Sequence, residues 1–207
     1  MFSKLQIRRE CFQTSDFYMD NKLSPEERKY LLKMARNAIE AVVRGHNPQE
    51  IEYESLSEKL KKPGATFVTI TKFGKLRGCI GTLEAKKPLI QDTVEHAVAA
   101  AMHDFRFPPI DINELDDIHI EISQLTPPQD VKYSDSFSLL EELRPGLDGV
   151  IIKDGVSRAT FLPQVWSKIP DKEEFMDHLC LKMGASPNLW RKGNMTVLTY
   201  QVEEFHD

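Results

Sequence analysis

Cysteine is scarce in this sequence, and its distribution excludes two kinds of framework. Cys11, Cys79 and Cys180 are an odd number, and no two of them form a Cys-x-x-Cys pair. This usage is typical of reduced thiols and argues against a disulfide scaffold or a thiolate zinc site.

Long hydrophobic runs are also missing. The densest apolar stretch, 97–102, has six residues, far fewer than the roughly 18 to 20 that a membrane-spanning helix needs. The first ten residues mix Lys4, Arg8 and Arg9 with isolated apolar side chains, so they lack the apolar centre of a secretory signal. These absences predict a cytoplasmic protein without a membrane segment.

Positive charge is in short supply as well. Lysine and arginine number 27 against 32 aspartates and glutamates, which gives a net charge of −5. Proteins held to nucleic acid by phosphate contacts usually carry excess positive charge. The composition therefore argues against a nucleic-acid partner.

Several common fingerprints of catalysis are absent. The sequence contains no GxxxxGK[ST], GxGxxG, HExxH or GxSxG, which removes support for phosphate-loop, dinucleotide, zinc-protease and serine-hydrolase chemistry. We therefore predict no cofactor and no metal site.

The hydrophobic pattern that is present predicts an α+β protein. Ser24, Pro25 and Glu27 form a capping box that opens a helix ending at Gly45. The later elements are a hairpin (66–71 and 76–83), a helix (88–103), a strand (118–123), a short helix (137–143), a hairpin (150–152 and 159–162), a helix (171–184) and a strand (195–202). This order favours a largely antiparallel sheet with packed helices.

The chain shows no internal repeat and no sharp change in composition. We expect residues 1–23 to form an N-terminal arm and residues 24–207 a single domain. Within that domain, segments 24–45 and 136–148 could form a smaller lobe.

The most unusual residues lie in the second strand of the first hairpin. Gly78 and Gly81 flank Cys79, and because glycine weakens a strand, they indicate close approach by a ligand or by another backbone. Arg77 and Cys79 are two residues apart, so in a regular strand they share a face at about 6 to 7 Å. Arg77 could then hold an anionic group and stabilise a thiolate. The alternative is a buried packing cysteine with the glycines at a bulge.

Asp104 and Arg106 form a second candidate group. They lie at a helix end before Pro108 and Pro109, where a rigid backbone could hold both side chains toward a cleft. The alternative is a structural ion pair.

His178 and Cys180 invite a third interpretation. Positions two apart on a helix differ by about 200°, so the two side chains cannot grip one metal ion. His178 could instead act as a base for Cys79 across the fold, or it could lie on the surface above a buried Cys180.

The remaining polar groups are weaker candidates. Asp92, His96 and His103 lie on one helix, but they would form a metal site only with ligands from other elements. His119 and Glu121 share a strand face and could form an acid-base pair, although an ordinary polar sheet surface gives the same pattern.

Seven segments together resemble the AMMECR-type domain family, which is named after a chromosomal region linked to Alport syndrome, midface hypoplasia, intellectual disability and elliptocytosis. They are 64–69, 76–81, 104–108, 121–123, 149–152, 161–166 and 178–182. The hexapeptide Leu-Arg-Gly-Cys-Ile-Gly is the family's signature and is complete here. The resemblance implies an α+β fold of two unequal lobes with the signature near a cleft. It also implies a part in a modification pathway, alongside Memo-type and radical S-adenosylmethionine proteins.

Two functional hypotheses follow. In the first, the protein is a ligand-binding domain or an enzyme subunit whose nucleophile is Cys79, with Asp104 and His178 handling protons. The ligand-binding residues would be Arg77, Gly78, Gly81, Arg106 and Glu121. In the second, the same surface receives an unknown small molecule or protein partner without catalysis, in a regulatory role linked to transcription, repair or translation.

Overall fold

The computed structural model describes residues 22–207. Residues 1–21 of the predicted arm, which include Cys11, therefore lie outside the described residues. Within them, no helix is both long enough and apolar enough to cross a membrane.

Helices and antiparallel strands alternate along the chain, as the sequence predicts. The α-helices are α1 (Pro25–Val43), α2 (Glu58–Lys61), α3 (Leu89–Met102), α4 (Ser136–Glu142) and α5 (Lys172–Lys182). The strands are β1 (Pro63–Lys72), β2 (Lys75–Gly81), β3 (Lys87–Pro88), β4 (Ile118–Leu125), β5 (Gln129–Asp130), β6 (Gly149–Asp154), β7 (Ser157–Phe161), β8 (Thr196–Tyr200) and β9 (Val202–His206). Short 3-10 helices cover Tyr53–Ser55, Ile112–Glu114, Pro163–Ser167 and Pro187–Lys192.

Helix α1 begins at the predicted capping box. The Glu27 amide donates to Ser24 Oγ at 3.1 Å, and the Ser24 amide donates to Glu27 Oε2 at 2.7 Å. Gly45 follows the helix with a φ of +78°, a conformation that glycine adopts without steric cost. Both ends of the helix are therefore set by local sequence.

The larger sheet has the strand order β2-β1-β4-β9, and β3 pairs with the start of β1. Every pairing in this sheet is antiparallel. Alternate residues of β1 and β4 point to one face and are fully buried there, among them Val68, Ile70, Ile120 and Ile122. Helices α1 and α3 pack on this inner face and complete the main core. The opposite, outer face of the sheet is polar over much of its area.

The smaller sheet has the order β5-β8-β6-β7 and its own core. Leu139 from α4 and Phe175 from α5 are fully buried in that core, whereas α1 belongs to the core of the larger sheet. The segments 24–45 and 136–148, which the sequence groups in one lobe, thus contribute to different cores. A third apolar cluster, including Ala65 and Tyr200, joins the two sheets.

The last predicted strand, 195–202, corresponds to β8, and the sequence pattern does not predict β9, which follows it and lies in the other sheet. β8 pairs with β6 in the smaller sheet, and β9 pairs with β4 in the larger sheet. The pattern hides β9 because Glu203 occupies an inward position that alternation would assign to an apolar residue. Glu203 is accommodated there by an ion pair with Arg28 and by the amide of Leu23.

Candidate functional site

Gly78 allows β2 to lie directly against α3. A Cβ at this position would be 2.2 Å from the carbonyl oxygen of Ala100, which is much closer than real Cβ atoms approach oxygen. The close approach that the glycine indicates is therefore made by the protein's own helix. Its prediction as a ligand-binding residue is replaced by the other alternative, approach by another backbone.

Gly81 has the same explanation. An added Cβ would lie 2.4 Å from the Thr66 carbonyl oxygen and 2.4 Å from the ring of Phe67. The close approach at Gly81 is therefore made by β1 of the same protein.

Arg77 donates hydrogen bonds to three other residues of the protein. Its Nε and Nη2 donate to the two oxygens of Glu114 at 3.1 and 2.9 Å, and its guanidinium also donates to the carbonyls of Pro108 and Pro109 at 2.8 and 3.1 Å. These contacts hold the pKa of Glu114 down, at about 2, chiefly through the Arg77 hydrogen bond. The structure commits the Arg77 guanidinium to Glu114, Pro108 and Pro109 and does not bring it to Cys79. The register shifts between Ile70 and Thr71, so a bulge breaks the alternation that would place Arg77 and Cys79 together.

Asp104 and Arg106 cap the free edge of β2 at Cys79. The Cys79 amide donates to Asp104 Oδ2 at 2.8 Å, and Arg106 Nη2 donates to the Cys79 carbonyl at 3.0 Å. Because β2 is an edge strand, these side chains supply the partners that a neighbouring strand would provide. The structural pair considered from the sequence is therefore present, and it serves the signature strand.

The carboxylate of Asp104 is fully occupied. It also accepts from the Arg106 amide at 3.1 Å and from Arg106 Nε at 2.9 Å, and only 4% of the residue is exposed. The Arg106 guanidinium is the main cause that holds the pKa of Asp104 far below its ordinary 3.8, with the Cys79 and Arg106 amides adding to it. These contacts give Asp104 a structural role at the edge of β2, and its predicted catalytic role stays a prediction.

Cys79 lies on the outer face of the larger sheet. Its main-chain groups point away from β1, so Thr69 and Cys79 form a non-hydrogen-bonded pair, in which side chains come closest. The Thr69 hydroxyl accordingly donates to Cys79 Sγ at 3.4 Å. The thiol is partly exposed. It is thus more open than a packing cysteine in a core.

Arg106 supplies the guanidinium that the sequence assigned to Arg77. Its side chain is 43% exposed while it pairs with Asp104. The pKa of Arg106 is raised, first by the hydrogen bond to Asp104 and in smaller measure by the side chain of Cys79. A cation with an exposed face therefore lies beside the thiol.

A polar row crosses the outer face from Cys79. Thr69 pairs with both Cys79 and Glu121, and Glu121 pairs with His206 on β9. With strands spaced by about 4.8 Å, Glu121 lies roughly 10 Å from Cys79. The next row, which contains Phe67, lies against the contact with the smaller sheet. The polar row therefore borders that contact.

Glu121 has an unusual environment for a carboxylate. Burial raises its pKa above the ordinary 4.5, the charge of Glu204 raises it further, and His206 opposes both effects. His119, its predicted acid-base partner, is 70% exposed and lies 4.0 Å from Asp207 Oδ1. The sequence missed His206 and Thr69. No alternation in Val202–His206 signalled His206, because Glu203 occupies an inward position.

We predict that the pKa of Glu121 responds to its two neighbours in opposite directions. Glu204→Gln removes a negative charge and should lower the pKa, whereas His206→Ala removes a cation and should raise it. A carboxyl-carbon NMR titration of Glu121 measures both changes. Glu58→Gln is the control. Glu58 lies on α2, which packs against α3 and not on the outer face, so this change should leave the titration of Glu121 unchanged. If Glu121 titrates at its ordinary value in every variant, the proposed burial is incorrect.

His178 is not brought to Cys79. It lies on α5, which packs against β7 and the 3-10 helix Pro187–Lys192 of the smaller sheet. Its ring is half exposed, with Nε2 at 3.9 Å from Glu174 on the same helix. Cys180 is completely buried, and burial raises the pKa of its thiol. The alternative of a surface histidine above a packing cysteine is therefore correct.

Like Asp104, Asp92 accepts hydrogen bonds from groups of the fold itself. Its Oδ2 accepts from the amide and hydroxyl of Thr66 at 2.8 and 2.7 Å and contacts Nδ1 of His96 at 3.2 Å. His103 stands apart as the C-terminal cap of α3. Across residues 22–207, no three His, Cys, Asp or Glu side chains are arranged to hold a metal ion.

Comparisons with known proteins agree with this architecture. The chain is 39% identical to a protein of Methanothermobacter thermautotrophicus over 89% of this chain and 96% of that protein. It is 35% identical to Protein MK0488 of Methanopyrus kandleri, covering 91% of this chain and 92% of the relative. The crystal structure of the uncharacterized protein PH0010 from Pyrococcus horikoshii matches with a TM-score of 0.78 and 30% identity, over 89% of this chain and 93% of that one. A profile of the AMMECR1 family matches residues 32–205, and the chain therefore belongs to the AMMECR1 family.

Proposed function

We propose that this protein is a ligand-binding domain that takes part in a modification reaction, and that its ligand carries an anionic group. The observation that carries the proposal is the pairing of a partly exposed thiol, Cys79, with the exposed face of the Arg106 guanidinium. Nε and Nη2 of Arg106 bind Asp104 and the Cys79 carbonyl, so Nη1 is the nitrogen that would donate to the anion, and guanidinium donors suit carboxylate and phosphate groups. The ligand would extend from Arg106 across Cys79 and Thr69 toward Glu121.

The surroundings of Cys79 favour binding over complete catalysis by this chain. The adjacent carboxylate, Asp104, is already occupied by two main-chain amides and by Arg106. Glu121 is roughly 10 Å away along the row, beyond direct proton transfer. In this proposal the proton acceptor comes from the ligand or from a partner protein. The family resemblance makes Memo-type and radical S-adenosylmethionine proteins candidates for that partner, in the cytoplasm.

Nucleophilic attack by Cys79 is the second candidate function. The Thr69 hydroxyl donates to the sulfur, and Arg106 adds positive charge beside it. Both contacts hold the sulfur on the accessible outer face, where an electrophilic group of a ligand can reach it.

Two matched alkylating reagents test the proposed anion site. Iodoacetate carries a carboxylate and iodoacetamide is its neutral counterpart, so the ratio of their rates at Cys79 reports attraction of an anion. We expect the ratio to exceed that of the denatured protein by about threefold or more, because a nearby guanidinium raises the local concentration of anions. Arg106→Gln should remove this excess, whereas Arg44→Gln at the end of α1 should not. Mass spectrometry measures both rates, with buried Cys180 as the slow internal reference.

Three outcomes separate the proposals. An equal ratio in native and denatured protein contradicts the anion site at Arg106. If Cys79 resists both reagents at every pH until the protein unfolds, the thiol is a packing residue and the nucleophile hypothesis falls. Slower alkylation by the neutral reagent in Thr69→Val would support the role of the threonine hydroxyl in presenting the sulfur.

A further inference from the structure

The two edges of the larger sheet differ in how their main chain is protected. At β2, Asp104 and Arg106 bind the outward-facing groups of Cys79. At β9, the Asp207 amide donates to the Ile120 carbonyl at 3.1 Å. Ile120 and Asp207 are therefore a hydrogen-bonded pair of the antiparallel ladder, and the next pair along it is a non-hydrogen-bonded one. Alternate residues face alternate sides, so Glu204 and His206 direct their N–H and C=O groups away from β4.

Nothing within residues 22–207 pairs with those outward groups of β9. Instead, a cavity of about 530 Å³ lies between this edge and α1. Leu32 and Phe205 give the cavity an apolar floor, and Lys29 and Lys33 stand on its helical wall. The cavity is therefore an open groove beside an unpaired strand edge.

The charge of the groove indicates what it would accept. Arg28 pairs with Glu203, and Arg36 pairs with Asp207. Lys29 and Lys33 are exposed, and in the part of the chain that the structure describes they make no ion pair. Two cations on the wall thus remain to be neutralised by a ligand.

We propose that this groove binds an acidic peptide segment of another protein, which adds to β9 as a further strand. The peptide main chain would pair with Glu204 and His206, as in other cases of strand addition. Acidic residues at alternate positions lie about 6.6 Å apart in a strand, and Lys29 and Lys33 lie about 6 Å apart along their helix. Two carboxylates on one face of the peptide therefore match the two lysines. This surface meets the polar row from Cys79 at His206, and it lies at the opposite edge of the larger sheet from β2 and Arg106.

The test uses the full-length chain and a fluorescent peptide of sequence Thr-Glu-Val-Glu-Val-Glu-Thr. Fluorescence anisotropy measures the affinity, and NMR hydrogen exchange follows the amides of Glu204 and His206. We expect the peptide to slow exchange at these two amides while those of Glu203 and Phe205, which face β4, stay as they were. Lys29→Glu with Lys33→Glu should weaken binding by about tenfold, since two attractions become repulsions.

The controls make the proposal refutable. The double variant Lys153→Glu and Lys168→Glu changes the net charge equally on the smaller sheet and should leave the affinity unchanged. A peptide N-methylated at alternate residues keeps its carboxylates but cannot form a ladder, so it should not bind. Equal binding by that peptide, or by one with lysine in place of glutamate, would overturn the proposal.

Two other occupants of the groove would be recognised in the same experiment. If Glu204 and His206 are already protected in the free protein at every concentration, another segment of the same chain occupies the edge. If their protection grows with protein concentration, a second copy does so. Either result overturns the proposal of an acidic partner.

Discussion

Gly78→Ala is expected to lower the free energy of unfolding by about 3 kcal/mol. The new Cβ would lie 2.2 Å from the carbonyl oxygen of Ala100. That oxygen belongs to the backbone of α3, which cannot move aside as a flexible side chain can. Either β2 or α3 must shift, and the main core between them loosens. Urea denaturation followed by circular dichroism measures the change.

A second glycine separates this clash from the ordinary cost of replacing glycine. Gly146 has a φ of +78° and nothing within 4 Å of an added Cβ, so Gly146→Ala introduces only backbone strain, about 1 kcal/mol. If Gly78→Ala lowers the free energy of unfolding no more than Gly146→Ala does, β2 and α3 are not packed as tightly as the structure indicates.

Asp104→Ala is expected to destabilise the protein by about 3 kcal/mol as well. The substitution leaves the amides of Cys79 and Arg106 without their acceptor and removes the partner of the Arg106 guanidinium. It also uncaps the edge of β2. Glu95→Gln is a suitable comparison, because it breaks a half-exposed pair with Lys87 and should cost less than about 0.5 kcal/mol.

The contribution of Asp104 should depend on pH in a defined direction. Its pKa in the folded protein is lowered from 3.8, so the stabilisation is fully present above the pKa of the unfolded chain and is lost as the pH falls toward the folded value. The difference in unfolding free energy between the parent protein and Asp104→Ala should therefore shrink between about pH 6 and about pH 3. A difference that is constant across this range would mean that the carboxylate charge contributes nothing.

These two substitutions bear on the meaning of the signature hexapeptide. Gly78 leaves room for the backbone of α3, and Arg77 binds Glu114. Asp104 and Arg106 bind the main chain of Cys79. Most of the motif therefore builds the strand. Leu76 is its most exposed side chain, at 45%, and the partly exposed thiol of Cys79 lies on the outer face beside Arg106.

Local sequence was sufficient for most elements of the fold. The capping box at Ser24 and Glu27 is made within four residues, and the alternation of Ile118, Ile120 and Ile122 defines a half-buried strand. Such signals depend on neighbours along the chain, so they can be read without knowing the tertiary structure. The α+β class and its antiparallel pairing followed from them, and the flanking glycines singled out Cys79 while leaving open whether it is buried.

Contacts between distant segments decided the rest. A bulge opposite Thr71 turned Arg77 toward Glu114 and left Arg106, 27 residues after Cys79, beside the thiol. β9 pairs with β4 in the larger sheet, where Phe205 is buried and Arg28 neutralises the inward Glu203. The sequence by itself determined the elements, since these depend on spacing and caps. Only the tertiary structure decided which polar groups meet, because register and ion pairing act between residues far apart in the chain.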